Sequence, residues 1–483
     1  MTVTADARSA ARGGLALAVL QTLGRVAGVL FVVVATRSLA PAEFGRYSIV
    51  AALLVVGGLL ADFGTTPVLT RHIARDPDDA DATLAGTLPA CFGLGIASAV
   101  FVVGLAAAIY PGRTVTDVAI GAISLPLAAM ATSVGAALDG RGLLAQRAVV
   151  TFLSIATVTL GAAVPLAAGA DARAAVWALV AGPLVGLATS TVLARRNGVW
   201  RSAPRFDRAR SLALLRQALP YAALGAISAV SMRFDVLLLS LVGTAASTAA
   251  YDLALRVGEA LLFVGTVITA PSLFLLSRRL GTGDVDGAER AFGEAARLTY
   301  VVGLPLSVGL AVFHDDAARL VFGADYAASA VPLAILGGGI AVTLLAMLQG
   351  ALILAGDHVG AGLRTAALVT ALMVLFDIAL VLPFGATGAA VASVAGGIVT
   401  VAAFGRFHRR TTGIRTPAPS PGLLTASVLC GGTAWVLSGT STALAVVAAA
   451  AVYVTAAVAT GAVTTDDFRR LRTVVLREPS LRR

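Results

Sequence analysis

Arg195-Arg196-Asn197-Gly198-Val199-Trp200-Arg201-Ser202-Ala203-Pro204-Arg205-Phe206-Asp207-Arg208-Ala209-Arg210 is the most basic stretch of the chain, and it stands between two apolar runs, 173–194 and 214–242. On either side of it the same alternation continues. About fourteen apolar stretches lie near 13–36, 47–69, 84–110, 117–138, 147–169, 173–194, 214–242, 247–276, 296–313, 327–355, 361–382, 385–404, 422–438 and 441–462. A bilayer core needs roughly 20 such residues per helix. Charged residues are 13% of the chain and apolar types 58%, against roughly 25% charged in soluble domains. A net charge of +10 would ordinarily suggest nucleic acid. Basic runs interrupted this often by lipid-length spans exclude that reading.

All 36 basic residues other than histidine are arginines. With residue 1 in the cytoplasm, the N-tail and even-numbered connections hold 28 of them; the odd-numbered connections hold five, Arg37, Arg46, Arg113, Arg173 and Arg319. Only Arg25, Arg233 and Arg256 fall inside apolar spans. That asymmetry follows the positive-inside rule. It predicts an all-α, multi-pass protein of the cell (inner or plasma) membrane with both termini cytoplasmic. The first span is too long for a signal-peptide core and lacks a small-residue cleavage site, so it is expected to be retained. Anionic head groups are the expected partners of the basic connections.

Two similar six-helix halves are expected, followed by an extra pair. Leu39-Ala40-Pro41-Ala42-Glu43-Phe44-Gly45-Arg46-Tyr47 after span 1 pairs with Val242-Gly243-Thr244 to Ala249-Ala250-Tyr251 after span 7, with the tyrosines 204 positions apart. Gly135 to Gly140 with Arg147 pairs with Gly350 to Gly356 with Arg364, and Pro165 pairs with Pro383, at offsets of 215 to 218. An even number of spans per half gives both the same orientation, the parallel repeat of transporters whose halves rock about a cavity. The expected divisions are an N-terminal lobe 1–195, a basic linker 196–213, a C-terminal lobe 214–404, a second linker 405–421, spans 13 and 14 over 422–463, and a tail 464–483. The first linker reads as an amphipathic segment on the cytoplasmic leaflet.

Several stretches carry a family resemblance. Arg37-x-Leu39-x-Pro41-x-x-Phe44-Gly45-x-Tyr47, Asp62-Phe63-Gly64 with Arg71, Leu219-Pro220, Arg233-Phe234-Asp235, Tyr251 to Arg256, and Pro383-Phe384-Gly385-Ala386-Thr387-Gly388 together resemble bacterial polysaccharide and O-antigen flippases. These belong to the multidrug/oligosaccharidyl-lipid/polysaccharide exporter superfamily. The resemblance covers nearly the whole chain and implies a fourteen-helix, two-lobed transporter. It also implies an undecaprenyl-pyrophosphate-linked oligosaccharide as substrate, with polysaccharide polymerase and glycosyltransferases as partners.

Ionisable groups inside the bilayer cost several kcal/mol unless they face a cavity or a partner. Arg25 lies near the midplane of span 1, and Arg233 and Arg256 lie in spans 7 and 8. Guanidinium groups bind pyrophosphate oxygens in pairs, so these three are candidate substrate ligands. Gln21 and Gln349 are polar within spans and could meet sugar hydroxyls, although helix–helix hydrogen bonding is the commoner use. Asp62, Asp235, Asp252, Glu259 and Asp377 are candidates for ion coupling or for structural charge pairs. Tyr47 and Tyr251 read as interfacial anchors.

The absence of lysine excludes a P-loop lysine and a Schiff base. Four scattered histidines show no metal-ligand spacing, and Cys91 and Cys430 sit in apolar spans. No catalytic residue, metal or cofactor is expected. A flippase of lipid-linked glycans leads, with peptidoglycan-precursor or multidrug export as alternatives in the same fold. A membrane polysaccharide polymerase is the alternative from another class. It would need a sizeable outside loop, and the longest, His314 to Tyr326, is short.

Overall fold

The computed structural model describes residues 28–356, 359–439 and 441–462, and these contain helices and turns but no strand. In chain order the helices are α1 (Gly28–Ser38), α2 (Pro41–Asp62), α3 (Thr65–Arg75), α4 (Ala80–Ile109), α5 (Gly112–Ala122), α6 (Ser124–Gly140), α7 (Leu144–Ala167), α8 (Ala172–Arg196) and α9 (Arg208–Val242). Then follow α10 (Ala245–Leu261), α11 (Phe263–Gly281), α12 (Val285–Val312), α13 (His314–Phe322), α14 (Ala330–Gly338), α15 (Ile340–Ala355), α16 (Val359–Thr411), α17 (Pro421–Leu437) and α18 (Thr442–Ala459). Each expected span from the second onward falls on a helix or a helix pair.

Among the described residues, nine helices are long and apolar enough to cross a membrane, or ten if α14 and α15, bent by 47°, form one span. That count is below the expected fourteen. The expected first span is described only from Gly28 onward, as α1, and α17 is short; α16, counted once, runs for 53 residues around a non-helical Gly385 at φ 56°, ψ −131°. A straight helix of that length would reach about 80 Å, far beyond a bilayer core of about 30 Å. The left-handed φ needs glycine. Beyond it, a Cβ on Gly388 would lie 1.9 Å from the Leu380 carbonyl oxygen.

Helix boundaries repeat the offsets seen in the sequence. α2 starts at Pro41 and α10 at Ala245, 204 positions later. The break between α5 and α6 falls at Ile123 and that between α14 and α15 at Gly339, 216 positions later.

The chain forms two compact units. Unit 1 takes the described residues of Met1–Ala260 with Val321–Ser329 and Thr370–Ala392. Its helices pack through small residues, as membrane helices do when no hydrophobic driving force is available between them. A Cβ on Gly95 would sit 2.4 Å from the Pro126 Cα, and Ser98 Oγ donates to the Gly57 carbonyl at 2.7 Å. The part of the basic linker before α9, up to Asp207, is an extended strap laid on α4, and α4 explains why. Pro89 has no N–H, so the carbonyl of Ala85 loses its helical donor. The Arg205 amide fills that place at 2.8 Å, and the Asp207 amide and Ser211 Oγ donate to the Gly86 carbonyl at 3.2 and 3.1 Å. Next to the strap, Arg210 meets Asp79 at 2.7 Å and Thr83 donates to the same carboxylate at 2.7 Å. Arg210 thereby holds the Asp79 carboxyl down at about 2.

Unit 2 takes Leu261–Leu320, Ala330–Val369 and the described residues from Ser393 onward. Its core joins Phe292 and Tyr300 of α12, Leu345 and Leu348 of α15, and Cys430 and Tyr453 of α17 and α18. The proline logic recurs here. Pro305 strands the Val301 carbonyl, and the Tyr453 hydroxyl donates to it at 2.9 Å.

Candidate functional site

Unit 1 gathers ionisable side chains where α2, α9 and α10 meet. The approach depends on Gly45: a Cβ there would lie 1.8 Å from the Ala245 carbonyl oxygen. With the start of α10 drawn this close to α2, Ser48 Oγ donates to Asp252 Oδ2 at 2.7 Å. Ser48 and Asp252 are 204 positions apart, so the bond joins residues equivalent under the repeat.

Asp252 is the hub. Its side chain is 2% exposed, and Arg256, one turn along the same helix, meets Oδ2 through Nε at 2.7 Å. Arg233 of α9 reaches it through Nη1 at 3.6 Å and reaches Glu259 through Nη2 at 3.3 Å. The i, i+4, i+7 spacing of Asp252, Arg256 and Glu259 puts all three on one helical stripe. The Arg256 guanidinium also lies 5.9 Å from the ring centroid of Tyr47, which packs on Phe31 and Phe44. Asp235 accepts from the Tyr251 hydroxyl, and from the Val236 amide at 2.7 Å. Asp377, from the Thr370–Ala392 segment of the same unit, is buried.

Arg233 and Arg256 are not equivalent. Arg256 has a short bond to a fully buried carboxylate and an aromatic face beside it. Arg233 is only 12% exposed, yet among the described residues its Nε and Nη1 have no hydrogen-bond partner. A buried, under-bonded guanidinium costs free energy and calls for an explanation. Its Nε has donor capacity left over, while Nη1 and Nη2 are turned to Asp252 and Glu259.

The structure therefore brings together Arg233, Asp235, Asp252, Arg256 and Glu259, and buries Asp377 in the same unit. Arg25 and Gln21 lie outside the described residues. Asp62 sits at the break between α2 and α3, where Phe63 and Gly64 take left-handed φ of 46° and 70° and its carboxylate accepts from Thr66 Oγ1. Gln349 is in unit 2. Its Nε2 donates to the Val401 carbonyl at 3.2 Å and to Thr416 Oγ1 at 2.8 Å. Ser48 escaped sequence reading, although the tyrosine register already aligned it with Asp252. Tyr47 is 4% exposed and serves the charge cluster, where an interfacial anchor was expected.

A family model described as polysaccharide biosynthesis protein matches residues 34–331. A protein of Haloferax volcanii, described as a probable low-salt glycan biosynthesis flippase, is 24% identical over 396 residues, covering 79% of this chain and 80% of that one. Among solved structures, the lipid II flippase MurJ in an inward closed conformation is similar with a TM-score of 0.76 at 14% identity, over 94% of this chain and 99% of that one. An inward-facing multidrug resistance MATE family transporter gives a TM-score of 0.63 at 16% identity, over 81% and 94% of the two chains. At these identities the solved structures establish the fold.

Proposed function

Since the chain belongs to the polysaccharide biosynthesis protein family, in the flippase branch of the exporter superfamily, we propose that it flips a lipid-linked oligosaccharide. The substrate in this reading is an undecaprenyl-pyrophosphate-linked glycan, carried from the cytoplasmic to the outer leaflet by alternating access between two six-helix lobes. The observation that carries the reading is Arg233, a buried guanidinium whose Nε has no hydrogen-bond partner among the described residues and whose Nη1 reaches Asp252 only at 3.6 Å. In a low dielectric these donors suit a pyrophosphate, and Arg25 of span 1 is its proposed counterpart across the repeat. Asp252 and Glu259 keep Arg233 in place until the substrate arrives.

The start of α10 against α2 supplies the outer closure. Bonds between repeat-equivalent residues, such as Ser48 to Asp252, form or break together when the halves rock. A head group with roughly two negative charges gains about 4–5 kcal/mol on moving outward across 100 mV, so the membrane potential assists export. Asp235 and Asp377, two carboxylates within the spans of unit 1, are the proposed candidates for binding a coupling cation.

Arg233→Ala tests the reading in cells that need the glycan at their surface. Surface glycan per molecule of inserted protein should fall at least about tenfold, a loss of 1.4 kcal/mol or more. Undiminished output per molecule would reject Arg233 as a substrate ligand. Orientation is tested separately by a reporter active only outside the cytoplasm. It should be silent after Arg210 and active after Thr244.

A further inference from the structure

Unit 2 holds a cavity of about 430 Å³ at the arginine-rich end of α16, within the range of roughly 300–1,000 Å³ usual for ligand sites. Arg406, Arg409 and Arg415 line it together with Tyr300, Leu345 and Val401. Arg406 and Arg409 are three residues apart, so one face of α16 presents both. Arg415 comes from the linker beyond the turn at Gly413, whose φ is 79°.

The linker is not loosely draped there. Ile414 is fully buried, and the Tyr300 hydroxyl donates to the Pro417 carbonyl at 2.9 Å. Gln349 Nε2 holds Thr416 Oγ1 at 2.8 Å, and the Arg415 amide donates to Glu289 Oε1 at 3.3 Å. Two of these anchors, Ile414 and Gln349, are wholly buried. Among the described residues, none of the three guanidinium groups has a carboxylate in an ion pair. Orienting a membrane protein requires arginines near this face, but it does not require an anchored linker that brings three exposed arginines, without an ion pair among the described residues, around one hollow. Their mutual repulsion is relieved when an anion sits between them.

We propose that this cavity binds a phosphate group, held by the forks of Arg406, Arg409 and Arg415. Its apolar inner wall, Leu345 and Val401, suits an amphiphile whose chain runs along it. The phosphate therefore comes either from an anionic phospholipid or from a soluble phosphate ester. The site is separate from the Arg233 cluster and does not depend on the transport reading.

The test uses the full chain, purified and delipidated in a neutral detergent. Binding of dioleoylphosphatidylglycerol, with dioleoylphosphatidylcholine as reference, is read by native mass spectrometry. Replacing Arg406, Arg409 and Arg415 together by Gln should weaken phosphatidylglycerol binding at least about tenfold, or 1.4 kcal/mol. A matched triple, Arg75→Gln, Arg208→Gln and Arg278→Gln, removes as much exposed charge elsewhere and should change it little. Ala402→Phe narrows the cavity without altering charge and must also weaken binding, which guards against a misfolded triple variant. A lipid site persists when about 10 mM inorganic phosphate is added; displacement or thermal stabilisation by that phosphate identifies the soluble source. Equal losses in the two triples, or binding unaffected by Ala402→Phe, would overturn the site. So would the joint absence of a phosphatidylglycerol preference and of any phosphate effect.

Discussion

The two units bury different kinds of polar chemistry. Unit 1 buries carboxylates: Asp117, Asp252 and Asp377. Asp117 faces Arg173 at 3.0 Å and Asp252 faces two arginines. Among the described residues, unit 2 buries an amide, an imidazole and hydroxyls: Gln349, His408, Thr299, Ser307 and Ser427. The Ser307 hydroxyl accepts from the Ala341 amide at 3.0 Å, beside the break at Gly339, and His408 meets the Gln349 carbonyl at 3.0 Å. Neutral groups of this kind mend helix breaks at little cost. Buried charges are costly to retain. On the proposed function, that contrast assigns the substrate-handling chemistry to unit 1 and scaffolding to the core of unit 2.

Removing the hub should have the largest effect. Asp252→Ala leaves Arg256 and Arg233 without their common carboxylate, and breaking a buried pair in this way costs roughly 3–5 kcal/mol. Membrane-inserted protein should drop sharply, and the detergent-solubilised remainder should unfold at lower temperature. An Asp252→Ala variant as stable as the parent would erase the contrast between units.

The two arginines should then separate. Arg256→Ala removes the 2.7 Å bond to Asp252 and should lower protein abundance. Arg233→Ala leaves Asp252 paired with Arg256 and leaves Glu259, 43% exposed, to water. It should therefore spare abundance while abolishing glycan output. Quantitative blotting together with surface-glycan staining distinguishes them, and matching profiles for the two variants would show that Arg233 is structural as well.

Unit 2 should yield smaller changes. Tyr453→Phe frees the Val301 carbonyl that Pro305 stranded, and interhelical hydrogen bonds in membranes are worth about 0.6 kcal/mol on average. A shift of a few degrees in thermal unfolding is expected, with transport per molecule unchanged. Loss of transport without loss of stability would place working chemistry in unit 2.

Much of this was legible in the sequence because lipid reduces the problem to hydropathy and spacing. Span positions, the split at Pro383 to Gly385 and the 204-residue register all follow from composition and from where glycines and prolines fall. The members of the charge cluster were legible too, since an aspartate or arginine inside an apolar run stands out. Their pairing was not. Which carboxylate takes which arginine depends on the approach at Gly45, and glycines are abundant in every span. The strap was missed because its partners, the Ala85 and Gly86 carbonyls, are backbone groups in the turn before Pro89, over 115 positions upstream of the residues that bond them. The arginine-lined cavity was visible only as a basic linker; the Tyr300 hydroxyl that folds Pro417 back over α16 leaves no periodic trace.

The strap offers the smallest expected effect and a pH dependence with a definite sign. Asp79 is held at about 2 by Arg210, below the ordinary aspartate value of about 3.9. A carboxyl lowered in the folded state stabilises it fully above the unfolded value and stops doing so as pH falls through the folded one. The pair is partly exposed, with Arg210 40% accessible, so solvent limits its worth to about 1 kcal/mol or less. Asp79→Asn should therefore destabilise the protein slightly and by a constant amount from pH 7 down to about pH 5. The gap to the parent should narrow from about pH 4 and close near pH 2, where the parent carboxyl is itself protonated. Thermal unfolding of both proteins across that range provides the measurement. A gap that widens on acidification would mean that Asp79 is not the group holding Arg210, and that the strap is pinned by its backbone bonds to α4 alone.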